Sequence, residues 1–272
     1  MTDFSPKLRR EREYAAQIAE IMRTVFGEAA PEDAAERARM ISSSEFFERW
    51  ALQAAEKMVT GLRMDGEKTW RAAAAKSMRG REIYRMLQQE MRGPVGARFW
   101  QLVRENATLI RSLPQDIAQE VAKQVATAAQ EGRRPESFEN LVPHVLKWKC
   151  RLIARTETQK ASTALTQARS EDLGVEWYVW ETSQDERVRR SHRKMQGTIC
   201  RWDDPPNPER LVGEPAKHGG YPAGDIYNCR CYPAPLLRYE QVSWPHRVAV
   251  NGQVRMTTLA AFRRMEQSRI AA

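Results

Sequence analysis

The sequence predicts a predominantly helical α+β fold, with a helical N-terminal region followed by a small C-terminal α+β module. Three observations lead there. Apolar residues recur at helical spacing through most of the chain up to Gly174. The stretch Val175-Glu-Trp-Tyr-Val-Trp-Glu-Thr182 is instead rich in aromatic and β-branched residues, as strands are. Asn251-Gly252, between two short β-prone runs, is the dipeptide that favours a tight hairpin.

Residues 5–26 carry Tyr14, Ile18, Ile21, Met22 and Val25 on one stripe, with Gly27 as a stop. Pro31 suits the first turn of a second helix. Ser42 to Ser44 can cap a third, whose apolar face is Phe46, Phe47, Trp50, Ala54 and Met58. Gly61 and Gly66 read as punctuation before a fourth helix over about 67–91, weakened at Gly80. Gly93-Pro94 breaks the chain. Phe99, Leu102, Val103, Leu109 and Ile110 open the next stretch, and Ser112-Leu-Pro114 reads as a fresh helix start running to Gly132. Pro135 begins another helix through Leu146, and a long helix follows over about 147–173, with Gly174 as a left-handed cap. Beyond the strand at 175–182, residues 185–195 read as a turn and a short helix. Residues 203–226, rich in Pro and Gly, read as a loop. Cys229-Arg-Cys-Tyr232 can pair back on 175–182, and a last helix spans about 257–267. These elements suggest a helical region over 1–93, a module over 94–240, and a C-terminal hairpin and helix over 241–272.

The chain of 272 residues has 42% hydrophobic and 29% charged residues, enough for a real core beneath long solvated helices. Its net charge of +9 suits a polyanionic neighbour, although a basic protein with no such partner has the same balance. No apolar run reaches the roughly 20 residues of a membrane helix, and the start lacks a signal-peptide core, so no membrane partner is expected and reducing cytosol is. There, four cysteines argue against a disulfide framework. Cys150, alone on a helical pattern, reads as a packing residue. Trp177, Tyr178 and Trp180 could stack bases, but alternating aromatics on a strand are more often core, and the core reading is preferred.

Chemistry concentrates in the last third. His192, Cys200, Cys229 and Cys231 form a candidate zinc set, with His218 as an alternative to Cys200. The competing reading is thiols packed in a tight strand, with His192 hydrogen-bonded at a helix end. Arg155 and Glu157, two apart on a helix, point to different sides. Arg155 is expected to anchor Asp185 or a loop carbonyl, and Asp185 to cap the helix that follows it. Arg187 completes the group of expected structural anchors. No catalytic residue is expected.

The order Ile-Ala-Arg-Thr-Glu157, Leu-Gly-Val175, the run from Trp180 through Asp185-Glu-Arg-Val-Arg189 and His192 to Gly197, then Asp-Asp-Pro-Pro206 and Asn-Cys-Arg-Cys231 closely resembles the phage Mu F-like minor head proteins of the broader phage head morphogenesis family. The resemblance covers roughly residues 100–240. Many members of that family carry Cys-x-x-Cys where this chain has Arg189-Arg-Ser-His192. The resemblance implies a structural minor capsid protein of a tailed phage, built in the host cytoplasm and resident in the virion. It would lie inside the head at the portal vertex and aid procapsid assembly, DNA packaging or delivery. The portal protein is the implied partner, with scaffold or major capsid protein and packaged DNA as further candidates. A metal-dependent nuclease and a free DNA-binding protein are the competing readings.

Overall fold

The computed structural model describes residues 3–27, 33–133 and 138–270. Pro31 and Pro135, expected to open helices, lie outside them. In the described residues the chain forms nine α-helices and one small sheet in its last third. The helices are α1 (Leu8–Phe26), α2 (Ala34–Ser42), α3 (Glu45–Ala74), α4 (Gly80–Gln89), α5 (Pro94–Gln130), α6 (Phe138–Asp172), α7 (Arg190–Met195), α8 (Pro208–Leu211) and α9 (Leu259–Ile270). The strands are β1 (Trp177–Thr182), β2 (Thr198–Arg201), β3 (Cys231–Pro235), β4 (His246–Val250) and β5 (Gln253–Thr257).

By spatial contact the chain falls into two units, whose limits are not those of the sequence segments 1–93, 94–240 and 241–272. One holds residues 1–6, 63–98 and 159–272; the other holds 7–62 and 99–158. Three of the four divisions fall inside α3, α5 and α6, and the fourth just before α1.

Helix breakers are absorbed rather than obeyed. Helix α3 runs unbroken through Gly61 and Gly66. A Cβ at Gly61 would meet the Arg10 guanidinium, and one at Gly66 would collide with Nη1 of Arg169. Both glycines therefore make room for arginines instead of ending the helix. Pro114 lies inside α5 and Pro143 inside α6, so two expected pairs of helices are each one long helix. The loss of one backbone bond at each proline is outweighed by burial around it, with Leu113 1% exposed and Val145 1% exposed.

In the unit of residues 7–62 and 99–158, α1 buries Tyr14, Ile18, Met22 and Val25. The Tyr14 hydroxyl donates to Asn106 Oδ1 at 3.2 Å, and Asn106 donates back to the Leu102 carbonyl at 3.0 Å, so both buried polar groups are satisfied. Phe47 is buried and stacks on Trp50 with ring centroids 5.8 Å apart. Phe46, expected on the same face, is exposed. Cys150 is buried as expected, and burial pushes its thiol up to about 12.

The other unit contains the sheet, in strand order β3-β1-β2-β4-β5. All pairs are antiparallel except β2 with β4. The strand at 175–182, the returning Cys231 strand and the 246–257 hairpin match their sequence patterns. In the hairpin Asn251 and Gly252 take φ of +50° and +71°, as the tight turn requires. Strand β2 and helix α8 were not expected. β3 carries Pro233 and Pro235, which an edge strand tolerates because it needs few ladder donors. Side chains of β1 alternate between two buried faces. Trp177 and Val179 pack with Phe262 of α9, and Tyr178 and Trp180 pack with Cys200, Tyr221 and Cys231. All three β1 aromatics are core, as the strand pattern suggested.

A buried ion pair ties this unit's helices. Arg169 of α6 donates to both oxygens of Glu90, at 2.7 and 3.0 Å, and Arg63 adds a bond at 2.7 Å. Helix α6 ends in a Schellman motif, in which Gly174 (φ +64°) donates to Glu171 and Val175 donates to Ser170 at 2.7 Å. That reversal delivers the chain into β1.

Candidate functional site

The site is assembled where the second face of the sheet meets α7, α8 and the loop before β3. Register does the first part of the work, because Thr182 lies opposite Cys231, and Tyr178 opposite Cys200. Gly197 (φ +73°) turns the chain from α7 into β2 and donates to the Trp180 carbonyl at 2.7 Å, which seats α7 over β1. The short helix α8 starts with Asn207 as its cap, accepting from the Arg210 N–H at 2.9 Å, and Pro208 in its first turn. It brings Glu209 inward.

These elements gather His192, Cys229 and Cys231, whose ligand-capable atoms all lie within 4.8 Å of one another. His192 Nδ1 is 3.3 Å from Cys231 Sγ and 3.5 Å from Cys229 Sγ. On the opposite side of the ring, Nε2 is 2.9 Å from the Tyr221 hydroxyl and 3.4 Å from Glu209. Tyr221 donates to the Glu209 carboxylate, 2.7 Å from Oε2 and 2.9 Å from Oε1, and Ser191 donates to Oε1 at 3.2 Å. Trp180 presents an edge to the imidazole at 5.5 Å. The two thiols and the imidazole are at most 3% exposed.

Electrostatics follow from this closeness. The hydrogen bond with Cys231 and the imidazole beside it hold the Cys229 thiol well below its ordinary value, against the effect of burial. The same bond and burial raise Cys231. Burial pushes the Glu209 carboxyl up, but bonds from Tyr221 and Ser191 and the His192 ring outweigh it and leave it below the ordinary carboxylate value. Burial and the Glu209 charge raise the Tyr221 hydroxyl.

The four-member set expected from sequence is corrected to three. Cys200 sits on β2 with its Sγ 3.5 Å from the Thr198 carbonyl, and burial raises its thiol. His218 is exposed, its ring against Tyr227 at 5.9 Å. Neither joins the cluster, because register turns Cys200 toward Tyr178 and the loop carries His218 outward. Asp185 does not cap the following helix, since α7 begins five residues later. It accepts from the Arg187 N–H at 3.0 Å in a local turn and pairs with Arg230. Arg187 is exposed. Arg155 pairs with Glu11 at 3.1 Å, and Asp185 pairs with Arg230. Glu157 is half-buried, and its charge acts on Tyr14.

The residues that hold α6 to the cysteine strand were not singled out in the sequence. Gln159 donates to the Cys231 carbonyl at 2.7 Å, and Thr163 donates to the Ala223 carbonyl at 2.9 Å. They lie four apart on one face of α6, two residues beyond the Arg-Thr-Glu run, which is the signal that could have found them. Gly224 (φ +93°) lies so close to both side chains and to the Cys231 carbonyl that a Cβ would strike all three. Glu209 and Tyr221 were likewise missed, since nothing in a Pro/Gly-rich loop marks which residues return to the core.

Comparison with known proteins places this segment. Residues 119–233 match the family described as "Phage Mu protein F like protein", a span that contains α6, β1, β2, the first part of β3 and every member of the cluster. Over these residues the chain is similar to that family. A curated protein of Haemophilus influenzae (strain ATCC 51907 / DSM 11121 / KW20 / Rd), described as "Uncharacterized protein", is 40% identical over 85 residues. Those residues are 31% of this chain and 17% of that protein, so the chain spans under a fifth of its relative. No solved structure matches the chain.

Proposed function

We propose that the chain is a structural minor head protein of a tailed phage, acting at the portal vertex inside the head during procapsid assembly and DNA packaging or delivery. The observation that carries this reading is the Mu F-like match over residues 119–233, which falls on a closely packed α+β segment. The reactive side chains of that segment bond one another under cover, which favours a scaffold over a catalyst. The charge of +9 favours a place beside packaged DNA. Exposed Phe46, Trp100 and Trp148 offer the aromatic anchors that protein interfaces use, with portal, scaffold or major capsid protein as the expected partners. Among the described residues no helix is long and apolar enough to cross a membrane.

The test is an amber allele of this gene in its phage or induced prophage. Mass spectrometry of purified wild-type particles is expected to find the chain, and the allele is expected to yield empty, misassembled or poorly infectious heads. Particles that lack the chain, or an allele with normal heads and normal titre, would refute the reading.

A further inference from the structure

The geometry points to a metal site of three protein ligands, His192 Nδ1, Cys229 Sγ and Cys231 Sγ, binding one zinc-class divalent ion whose fourth position is taken by a water molecule or a small anion. This goes beyond the head-protein reading and does not depend on it, because a scaffold can hold the ion or do without it.

The distances carry the inference. Zinc sits ~2.0–2.1 Å from an imidazole nitrogen and ~2.3 Å from a thiolate sulfur in a tetrahedron, which separates nitrogen from sulfur by about 3.5 Å. Here the two separations are 3.3 and 3.5 Å. Both nitrogen–sulfur separations thus suit a shared ion, and the two sulfurs lie within 4.8 Å of each other. Two sulfurs and an imidazole are soft to borderline donors, which favour zinc over magnesium or calcium.

The far side of the ring agrees. A histidine that ligates through one nitrogen usually donates its other N–H to a carboxylate, a carbonyl or a water. In this cluster Nε2 faces the Tyr221 hydroxyl, which in turn donates to Glu209. That relay assigns the ring proton to Nε2 and leaves the Nδ1 lone pair aimed between the two sulfurs. Trp180, Met195 and Ile226 line the surrounding core and keep out bulk solvent.

The fourth position has no protein ligand among the described residues, since Cys200 and His218 are both directed elsewhere. Arg189 supplies a reason for a non-protein ligand there. Its Nη1 is buried and lacks a hydrogen-bond partner, while Nη2 donates to the Tyr227 carbonyl at 2.9 Å. Its charge acts on both Cys231 and Tyr221. A metal-bound water or anion would give Nη1 its acceptor.

The experiment uses the full chain, purified reduced and without a polyhistidine tag, with elemental analysis and cobalt(II) substitution. About one zinc per chain is expected, and the cobalt form should show thiolate-to-metal absorption in the near ultraviolet and tetrahedral bands in the visible. His192→Ala, Cys229→Ser and Cys231→Ser should each abolish stoichiometric binding, while Cys200→Ser and His218→Ala keep it. Glu209→Gln should weaken zinc affinity by about 10–100-fold. Should the ligand variants fail to fold, alkylation of the wild-type chain decides the matter. Cys229 and Cys231 should be protected with zinc and labelled after a chelator, with Cys200 unchanged. A folded, reduced chain that takes up neither zinc nor cobalt, loss of binding in the Cys200 or His218 variant, or labelling indifferent to the chelator would each overturn the proposal.

Discussion

Arg169 grips Glu90 through two bonds, at 2.7 and 3.0 Å, with both side chains 1% exposed. The two residues are 79 apart in sequence. Their pairing, with Arg63 as a third member, joins α6 to the turn after α4 and to α3 inside one unit. A buried pair of this kind is a poor measure of net stability, but breaking it is costly because one charge stays buried alone.

Glu90→Gln should therefore destabilise the protein by about 3–5 kcal/mol, the cost of leaving a buried guanidinium without its counter-charge. Denaturant unfolding of the variant beside wild type measures this. A change within experimental error would contradict the buried pair described.

Gly66→Ala tests the same cluster from the other side. In an exposed helix interior this exchange stabilises by up to about 1 kcal/mol. Here a Cβ would collide with Arg169 Nη1, so the sign should reverse. Thermal melts of the single variant settle it, and a raised melting temperature would contradict the packing described.

Gln159→Ala and Thr163→Val remove the two side chains that bind the loop and strand carrying the cysteines. Each leaves a buried carbonyl, of Cys231 or of Ala223, without that donor, and should cost about 1–3 kcal/mol. Hydrogen exchange should rise in residues 221–235 ahead of the rest of the chain. Uniform exchange across the molecule would mean that α6 does not hold this segment.

Glu209 gives a pH signature. Its carboxyl titrates below the ordinary value of 4.5 in the folded chain, so the folded state favours the ionised form. The stabilisation is fully present above the unfolded-state value and is lost as pH falls through the lower folded value. Wild type should lose stability on acidification below about pH 4.5 more steeply than Glu209→Gln. Parallel stability profiles for the two proteins would remove Glu209 from the network.

Much of the fold was legible because it follows from local periodicity. The β1 aromatics, the Asn251-Gly252 hairpin and the Gly174 cap each depend on a few adjacent residues, and each stands where the pattern put it. The breakers misled for a tertiary reason. Gly61, Gly66 and Pro114 carry helix-ending propensities of about 1–3 kcal/mol, which long-range packing overrides. At Gly66 the advantage of having no side chain appears only once Arg169, about a hundred residues away, has arrived.

Sequence alone determined the helical character, the change to a sheet in the last third, the Mu F-like resemblance, and the residue types from which a metal-binding cluster could be drawn. Only the tertiary structure decided which of them meet. Spacing along the chain does not say that Cys231 faces His192 while Cys200 packs by Tyr178, because that choice belongs to strand register, which sets the two cysteines opposite Thr182 and Tyr178, four residues apart along one face of β1. Nor could it show that Glu209 and Tyr221 fold in from a loop to hold the far side of the imidazole, since those contacts arise from chain closure over distance.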